Sequence, residues 1–144
     1  RLPVDCIVNS SNEDLVYHGG VALAIAKAAG IQLDQEGKEY VRKHGPVAVT
    51  QCCVTSAGRL PYTCVIHAVG PQWQVYKQDK DRCGKDLKKT IVSCLIEANQ
   101  MKANSIAIPS ISSGDKTTGF NQICEYLMVG IVDFCADHEL LPAA

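Results

Sequence analysis

Residues 4–22 read VDCIVNSSNEDLVYHGGVA, and this stretch contains the clearest structural signal in the chain. Its apolar run at residues 6–8 has the length of a buried parallel strand. The chain then turns polar at residues 9–12, where such a strand would end, and the pair Gly19-Gly20 precedes an alanine-rich segment with helical spacing. The stretch therefore predicts a strand, a polar loop and then a helix that begins at the two glycines.

This arrangement suits an anionic ligand. Glycines let the backbone approach a ligand closely, and a helix N-terminus offers free N–H groups and the positive end of its dipole. Together these features predict a phosphate-sized site, and the amides of Asn9 and Asn12 suit sugar hydroxyls. A Gly-Gly turn before a helix is also typical of an ordinary turn, and asparagine after a strand is typical of a cap, so the rest of the chain has to support the interpretation.

Strands and helices alternate along the remaining chain, which predicts the α/β class with a mixed, mainly parallel central sheet. Strands are predicted at residues 4–9, 47–56, 62–69 and 105–108, and helices at about 20–29, 33–43, 85–102 and 121–136. Residues 72–82 are predicted to form a polar loop. Polar loops at residues 9–20, 70–73 and 110–119 follow predicted strands, so we expect them at the sheet edge where α/β proteins bind ligands.

Two apolar stripes are predicted to face the sheet. On the first helix the stripe consists of Val21, Ala24, Ile25 and Ala28, and on the helix at 85–102 it consists of Leu87, Thr90, Ile91, Cys94, Leu95 and Ala98. His67 falls within a predicted strand and is expected to be a core histidine with satisfied hydrogen bonds.

Composition narrows the class of protein. A length of 144 residues suits one domain with its own core, and a net charge of −1 makes a nucleic acid unexpected as the main partner. No run approaches the ~18 apolar residues of a membrane span, so no membrane partner is expected. The eight cysteines include no C-x-x-C pair, and alternation along a strand turns Cys64 away from His67 and Cys52 away from Cys53. Neither disulfides nor a metal site are therefore expected, and a reducing nucleus or cytoplasm is predicted.

Four blocks together resemble the macrodomain signature. The first is the stretch at 4–25, and the others read TSAGRLP at 55–61, IHAVGPQW at 66–73 and IPSISSG at 108–114. Their wording is most similar to macrodomains of the multi-macrodomain poly(ADP-ribose) polymerase family. The resemblance implies a single three-layer α/β/α macrodomain over residues 1–144, monomeric, and trimmed of edge strands at both ends.

The resemblance also implies the ligand, ADP-ribose, bound without a cofactor or a metal. By position, Asn12 matches the asparagine at the distal ribose, Gly19, Gly20 and Val21 match the first phosphate loop, and residues 112–114 match the second. The full set of predicted ligand-binding residues is Asn9, Asn12, Gly19, Gly20, Val21, Ser112, Ser113, Gly114, Lys116, Gly119 and Phe120.

Three interpretations of function stay open. The first is a module that recognises mono- or poly-ADP-ribosylated proteins, the second an ADP-ribosyl hydrolase, and the third a scaffold with a weakened pocket. One hydrolytic branch of the family carries an aspartate where this chain has Ala22, so a hydrolase here would depend on Asn12. The resemblance further suggests the DNA damage response or immune signalling as the setting, and a parent protein with an ADP-ribosyltransferase domain.

Overall fold

The computed structural model describes residues 3–17, 19–77 and 79–111 of the chain. Within these ranges the elements in chain order are β1 (Cys6–Ser10), α1 (Gly20–Ala29), α2 (Ile31–His44), β2 (Cys52–Thr55), β3 (Cys64–Ala68), α3 (Trp73–Tyr76), α4 (Lys80–Gln100) and β4 (Ile106–Ala107). The predicted helix at 121–136 lies outside the described residues.

The four strands form one mixed sheet in the order β2-β3-β1-β4. β1 is parallel to both of its neighbours, with Cys6 opposite Cys64 of β3 and Ile106 of β4, whereas β2 runs antiparallel to β3. The predicted α/β class with a mainly parallel sheet is confirmed. Because β1, β3 and β4 run the same way, their carboxyl ends meet at one edge of the sheet.

Helices cover both faces of this sheet. On one face α4 packs against β2 and β3, and the buried cluster that β1 shares with them includes Val8, Ile66, Leu87, Ile91 and Cys94. On the other face α1 and α2 cover the strand side chains that point the opposite way. The buried cluster on this face is formed by Ile7, Ala29, Leu33, Ala57 and Val65. The described part of the chain thus has the three layers that the resemblance implies.

The predicted stripe of α4 is confirmed, while that of α1 is wrong by one position. Leu87, Thr90, Ile91, Cys94 and Ala98 are buried, and Leu95 is partly buried. On α1, Val21 is 58% exposed and Ala24 and Ala28 are also exposed, whereas Ile25, Ala26 and Ala29 pack on the sheet. Since α1 is apolar on nearly every side, periodicity alone could not select its buried face.

Two predicted boundaries also change. The strand predicted at 47–56 shortens to four residues, because Thr50 has a φ of 77° and ends the extended conformation before Cys52. The predicted loop at 72–82 contains α3, and α4 begins at Lys80 rather than near residue 85. It begins there because the Asp79 carboxylate accepts a hydrogen bond from the backbone N–H of Arg82 at 3.1 Å, which caps the helix.

The TSAGRLP block forms a close contact with the end of α1. Gly58 has a φ of 57°, and a Cβ atom there would lie 2.3 Å from the carbonyl oxygen of Ala29. The same oxygen accepts a hydrogen bond from the N–H of Arg59 at 2.8 Å. This glycine is therefore required by the packing of the loop on the helix, and not by a ligand.

The six described cysteines are free thiols, and those of the strands lie on both faces of the sheet. The Sγ atoms of Cys6 and Cys64 lie 3.0 Å apart in the core under α4, and burial, with the neighbouring Cys6, raises the pKa of Cys64 to about 12. Cys52 faces the same side, 3.6 Å from Cys94, whereas Cys53 packs on the opposite side with Leu15, as strand alternation predicted. Among the described residues, no three metal-ligating side chains gather.

Candidate functional site

A cleft of about 1130 Å³ opens at the carboxyl ends of the three parallel strands. Its walls come from residues 10–14 after β1, residues 69–72 after β3, and Pro109 and Ser110 after β4. Two of the three loops predicted to meet there, 9–20 and 70–73, do so. The third is described only as far as Ile111, so Ser112, Ser113, Gly114, Lys116, Gly119 and Phe120 lie outside the described residues.

The beginning of α1 faces this cleft. Gly19 occupies the N-cap position without a side-chain hydrogen bond, and the first turn contains no acidic residue. Gly19 and Val21 both line the cleft. Gly20 has a φ of 61°, a conformation that side chains rarely adopt, whereas Gly19 is extended with a φ of −176°. Neither a capping side chain nor an acidic residue of the first turn therefore occupies these N–H groups, which leaves them available to an external phosphate.

Asn12 stands on the cleft wall and is held by the loop itself. Its Oδ1 accepts the N–H of Val16 at 2.9 Å, and its Nδ2 donates to the carbonyl oxygen of Val16 at 2.7 Å. A carboxamide has two N–H donors and two acceptor lone pairs, so one donor and one acceptor remain. The side chain is thus fixed in orientation and keeps capacity for one ligand hydroxyl.

Asn9 belongs to a buried polar network and not to the cleft lining. It is fully buried, and its Nδ2 donates to Nδ1 of His67 at 3.2 Å. The hydroxyl of Tyr17 lies 3.2 Å from the same nitrogen, and Nε2 of His67 is 2.8 Å from Oγ1 of Thr55. The NH2 group of Asn9 can only donate, so Nδ1 of His67 is the acceptor and carries no proton. The imidazole is therefore neutral, with its proton on Nε2, which donates to Oγ1 of Thr55.

Burial fixes this protonation state. It lowers the pKa of His67 from 6.5 to about 4, and it raises the pKa of Tyr17. The prediction that His67 is a satisfied core histidine is confirmed, because both of its ring nitrogens are hydrogen-bonded and its exposure is 0%. The network joins β1 and β3 directly behind the loops of the cleft.

The lining also contains three residues of the stretch 72–82, which was predicted to form a polar loop. Tyr76, Asp79 and Arg82 line the cleft. The Arg82 guanidinium lies 5.6 Å from the centroid of the Tyr76 ring, and the Tyr76 hydroxyl donates to the carboxylate of Asp86. Burial and the hydrogen bond to Asp86 raise the pKa of Tyr76. The spacing of Asp79 and Arg82, three residues apart, was the available signal for a capped helix start.

The cleft lining has an acidic balance within the described residues. Its carboxylates are those of Glu13, Asp14 and Asp79, and Arg82 is its one Lys or Arg side chain there. Val21, Val49 and Val69 add apolar surface. An anion would therefore find favourable potential at two places, the first turn of α1 and the guanidinium of Arg82.

Comparison with known proteins gives a consistent family. The family model described as Macro domain matches residues 8–125. The chain is 46% identical over 114 residues to the human protein mono-ADP-ribosyltransferase PARP14. The aligned region covers 79% of this chain but only 6% of that relative. It is 40% identical to the uncharacterized protein SSO2899 of Saccharolobus solfataricus (92% of this chain, 71% of that one). It is 36% identical to an O-acetyl-ADP-ribose deacetylase of Escherichia fergusonii (97% and 77%).

Solved structures agree in fold. The macrodomain of Oceanobacillus iheyensis with ADP superposes with a TM-score of 0.83 at 29% identity, over 92% of this chain and 70% of that one. A variant of the same macrodomain with ADPR gives a TM-score of 0.84 at 28% identity, over 93% and 72%.

Proposed function

Because the chain belongs to the macrodomain family, we propose that it is a module that binds ADP-ribose and thereby recognises ADP-ribosylated proteins. The proposal rests on one observation above all. The uncapped start of α1 opens into a cleft at the carboxyl ends of three parallel strands. A pyrophosphate placed there would accept hydrogen bonds from backbone N–H groups, so neither a metal nor a cofactor is needed.

The remaining surfaces of the cleft suit the other parts of this ligand. The free donor and acceptor of Asn12 match a ribose hydroxyl, which both accepts and donates. The valines of the lining offer apolar cover to sugar carbons or a base. Relatives of the same fold have been solved with ADP and with ADPR, which supports this class of ligand.

Titration calorimetry with ADP-ribose tests the proposal, and Gly19→Asp is its sharpest variant. Aspartate is a preferred N-cap residue, and a Cβ at Gly19 meets nothing within 4 Å, so the fold should keep its stability. The new carboxylate would compete for the phosphate N–H groups and repel the ligand, so affinity should fall at least tenfold. Gly19→Asn is the matched neutral control and should lose much less. A wild-type protein that does not bind ADP-ribose would overturn the proposal and leave the scaffold interpretation.

Hydrolysis of ADP-ribose from proteins is the second candidate. It is supported by the Escherichia fergusonii relative, whose name is O-acetyl-ADP-ribose deacetylase and which matches 97% of this chain. In this cleft Asn12 has a donor and an acceptor left to orient a water, and Glu13 and Asp14 are the nearby carboxylates. Release of labelled ADP-ribose from an automodified protein distinguishes it from binding alone, and the release should be lost in Asn12→Ala.

The setting of the module is part of the same proposal. The chain spans only 6% of the human relative, so an ADP-ribosyltransferase domain in the parent protein is proposed on that likeness alone. A nuclear or cytoplasmic location, and a role in the DNA damage response or immune signalling, are expectations from the resemblance. Imaging of the full-length protein before and after DNA damage would test them. Among the described residues, none of the helices has the length and apolar character to cross a membrane.

A further inference from the structure

We propose that Arg82 and Tyr76 form a second phosphate subsite, through which this cleft prefers linked ADP-ribose units to a single one. The inference rests on the proposed function and identifies the class of substrate that the same cleft would favour. Two places on the lining have positive potential, the first turn of α1 and the guanidinium of Arg82. These belong to different walls, since α1 follows the β1 loop and Arg82 follows the β3 loop.

The described lining of the cleft is acidic, which limits what can bind. Glu13, Asp14 and Asp79 line the cleft, so an indiscriminately anionic partner would be repelled. A ligand that carries phosphates at separated positions, with neutral sugars between them, could place one phosphate at each positive place. A chain of ADP-ribose units has this pattern, because each unit carries one pyrophosphate between two riboses.

The surroundings of Arg82 leave its guanidinium available for contact with a phosphate. Its guanidinium lies 5.6 Å from the centroid of the Tyr76 ring, and it makes no ion pair with a carboxylate of the described residues. The neighbouring Asp79 carboxylate is instead used to accept the backbone N–H of Arg82. Tyr76 is itself held by its hydrogen bond to Asp86. A guanidinium held over an aromatic ring presents its fork of donors in a fixed direction, which suits two phosphate oxygens.

Tyr76 also offers a ring face on which a base or a ribose of the second unit can pack.

The test compares ADP-ribose with a dimer of two linked ADP-ribose units, by calorimetry, on wild type and two variants. Wild type should bind the dimer about five- to tenfold more tightly than the single unit, as one additional charge-assisted contact would give. In Arg82→Gln this preference should shrink to about twofold or less. Lys89→Gln, which removes an exposed charge of the same helix away from the cleft, should keep it. The preference should also fall with added salt.

Three results would overturn the inference. Wild type that binds both ligands equally contradicts the second subsite while leaving the proposed function intact. An Arg82→Gln protein that keeps the dimer preference, but binds a singly ADP-ribosylated acidic peptide more weakly, would show that Arg82 contacts the acceptor protein instead. Wild type that binds neither ligand removes the proposed function, and this inference with it.

Discussion

Acidification from pH 7 to pH 5 should destabilise this fold through one side chain, His67. The imidazole is fully buried, and burial lowers its pKa from 6.5 to about 4. The folded state therefore keeps His67 neutral while the unfolded chain takes up a proton. The stabilisation is complete above about pH 6.5 and is lost as the pH falls toward 4.

The magnitude follows from this difference in pKa. With values of 6.5 and about 4 in the unfolded and folded states, proton uptake lowers the free energy of unfolding by about 2 kcal/mol between pH 7 and pH 5. The complete shift corresponds to roughly 3 kcal/mol, since each pKa unit is ~1.4 kcal/mol. A second imidazole proton would have to sit on Nδ1, the nitrogen that already accepts the hydrogen bond from Asn9 Nδ2.

Urea unfolding at pH 7, 6 and 5 measures the effect on wild type, His67→Gln and His44→Gln. His67→Gln should be less stable at pH 7 but should lose about 2 kcal/mol less than wild type on acidification. His44 is exposed at the end of α2, outside the network, so His44→Gln should retain the wild-type dependence. If wild type and His67→Gln lose equal stability, His67 is not buried in the neutral form and the hydrogen-bond assignment is wrong.

Two further changes test local structure by the free energy of unfolding. Gly58→Ala should cost about 2 kcal/mol or more, because it combines a positive φ with a Cβ placed 2.3 Å from the oxygen of Ala29, whereas Gly20→Ala, with a similar φ of 61° but open space around the Cβ, should cost only about 1 kcal/mol. Equal losses would show that the loop moves freely off α1. Asp79→Ala should cost about 1 kcal/mol through loss of the α4 cap to Arg82, and Asp79→Asn should restore most of it; no difference between the two would mean that the cap does not stabilise the helix.

Local signals in the sequence were sufficient to predict the first strand and the helix that follows it. The apolar run at residues 6–8 and the glycine pair predicted β1 and the start of α1 correctly, because each feature is decided by neighbouring residues. The buried face of α1 was missed because its apolar residues surround the helix. The short length of β2 was not predicted, because a threonine at position 50 gives no indication of a backbone with positive φ.

The site was predictable only in part, for a similar reason. Gly19 and Asn12, which line the cleft, lie within one continuous block of sequence, so a place near one ligand could be predicted for them. The pairing of Asn9 with His67 brings together residues 58 positions apart, and the position of Arg82 over Tyr76 depends on where α4 begins. Such contacts are set by tertiary packing, and no periodicity or spacing indicates them.

The strand pairing also has a consequence for how the chain is made. Of the described strands β1 is synthesised first, yet its partners come 58 residues later in β3 and 100 residues later in β4. At a synthesis rate of about 5–20 residues per second, β1 would wait on the order of 5–20 s for β4 to be translated. During that time the apolar strand has an unpaired edge. Such edges on nascent chains are prone to aggregate, and chaperones cover surfaces of this kind. An inner strand of the described sheet is therefore the one that waits longest for its partners.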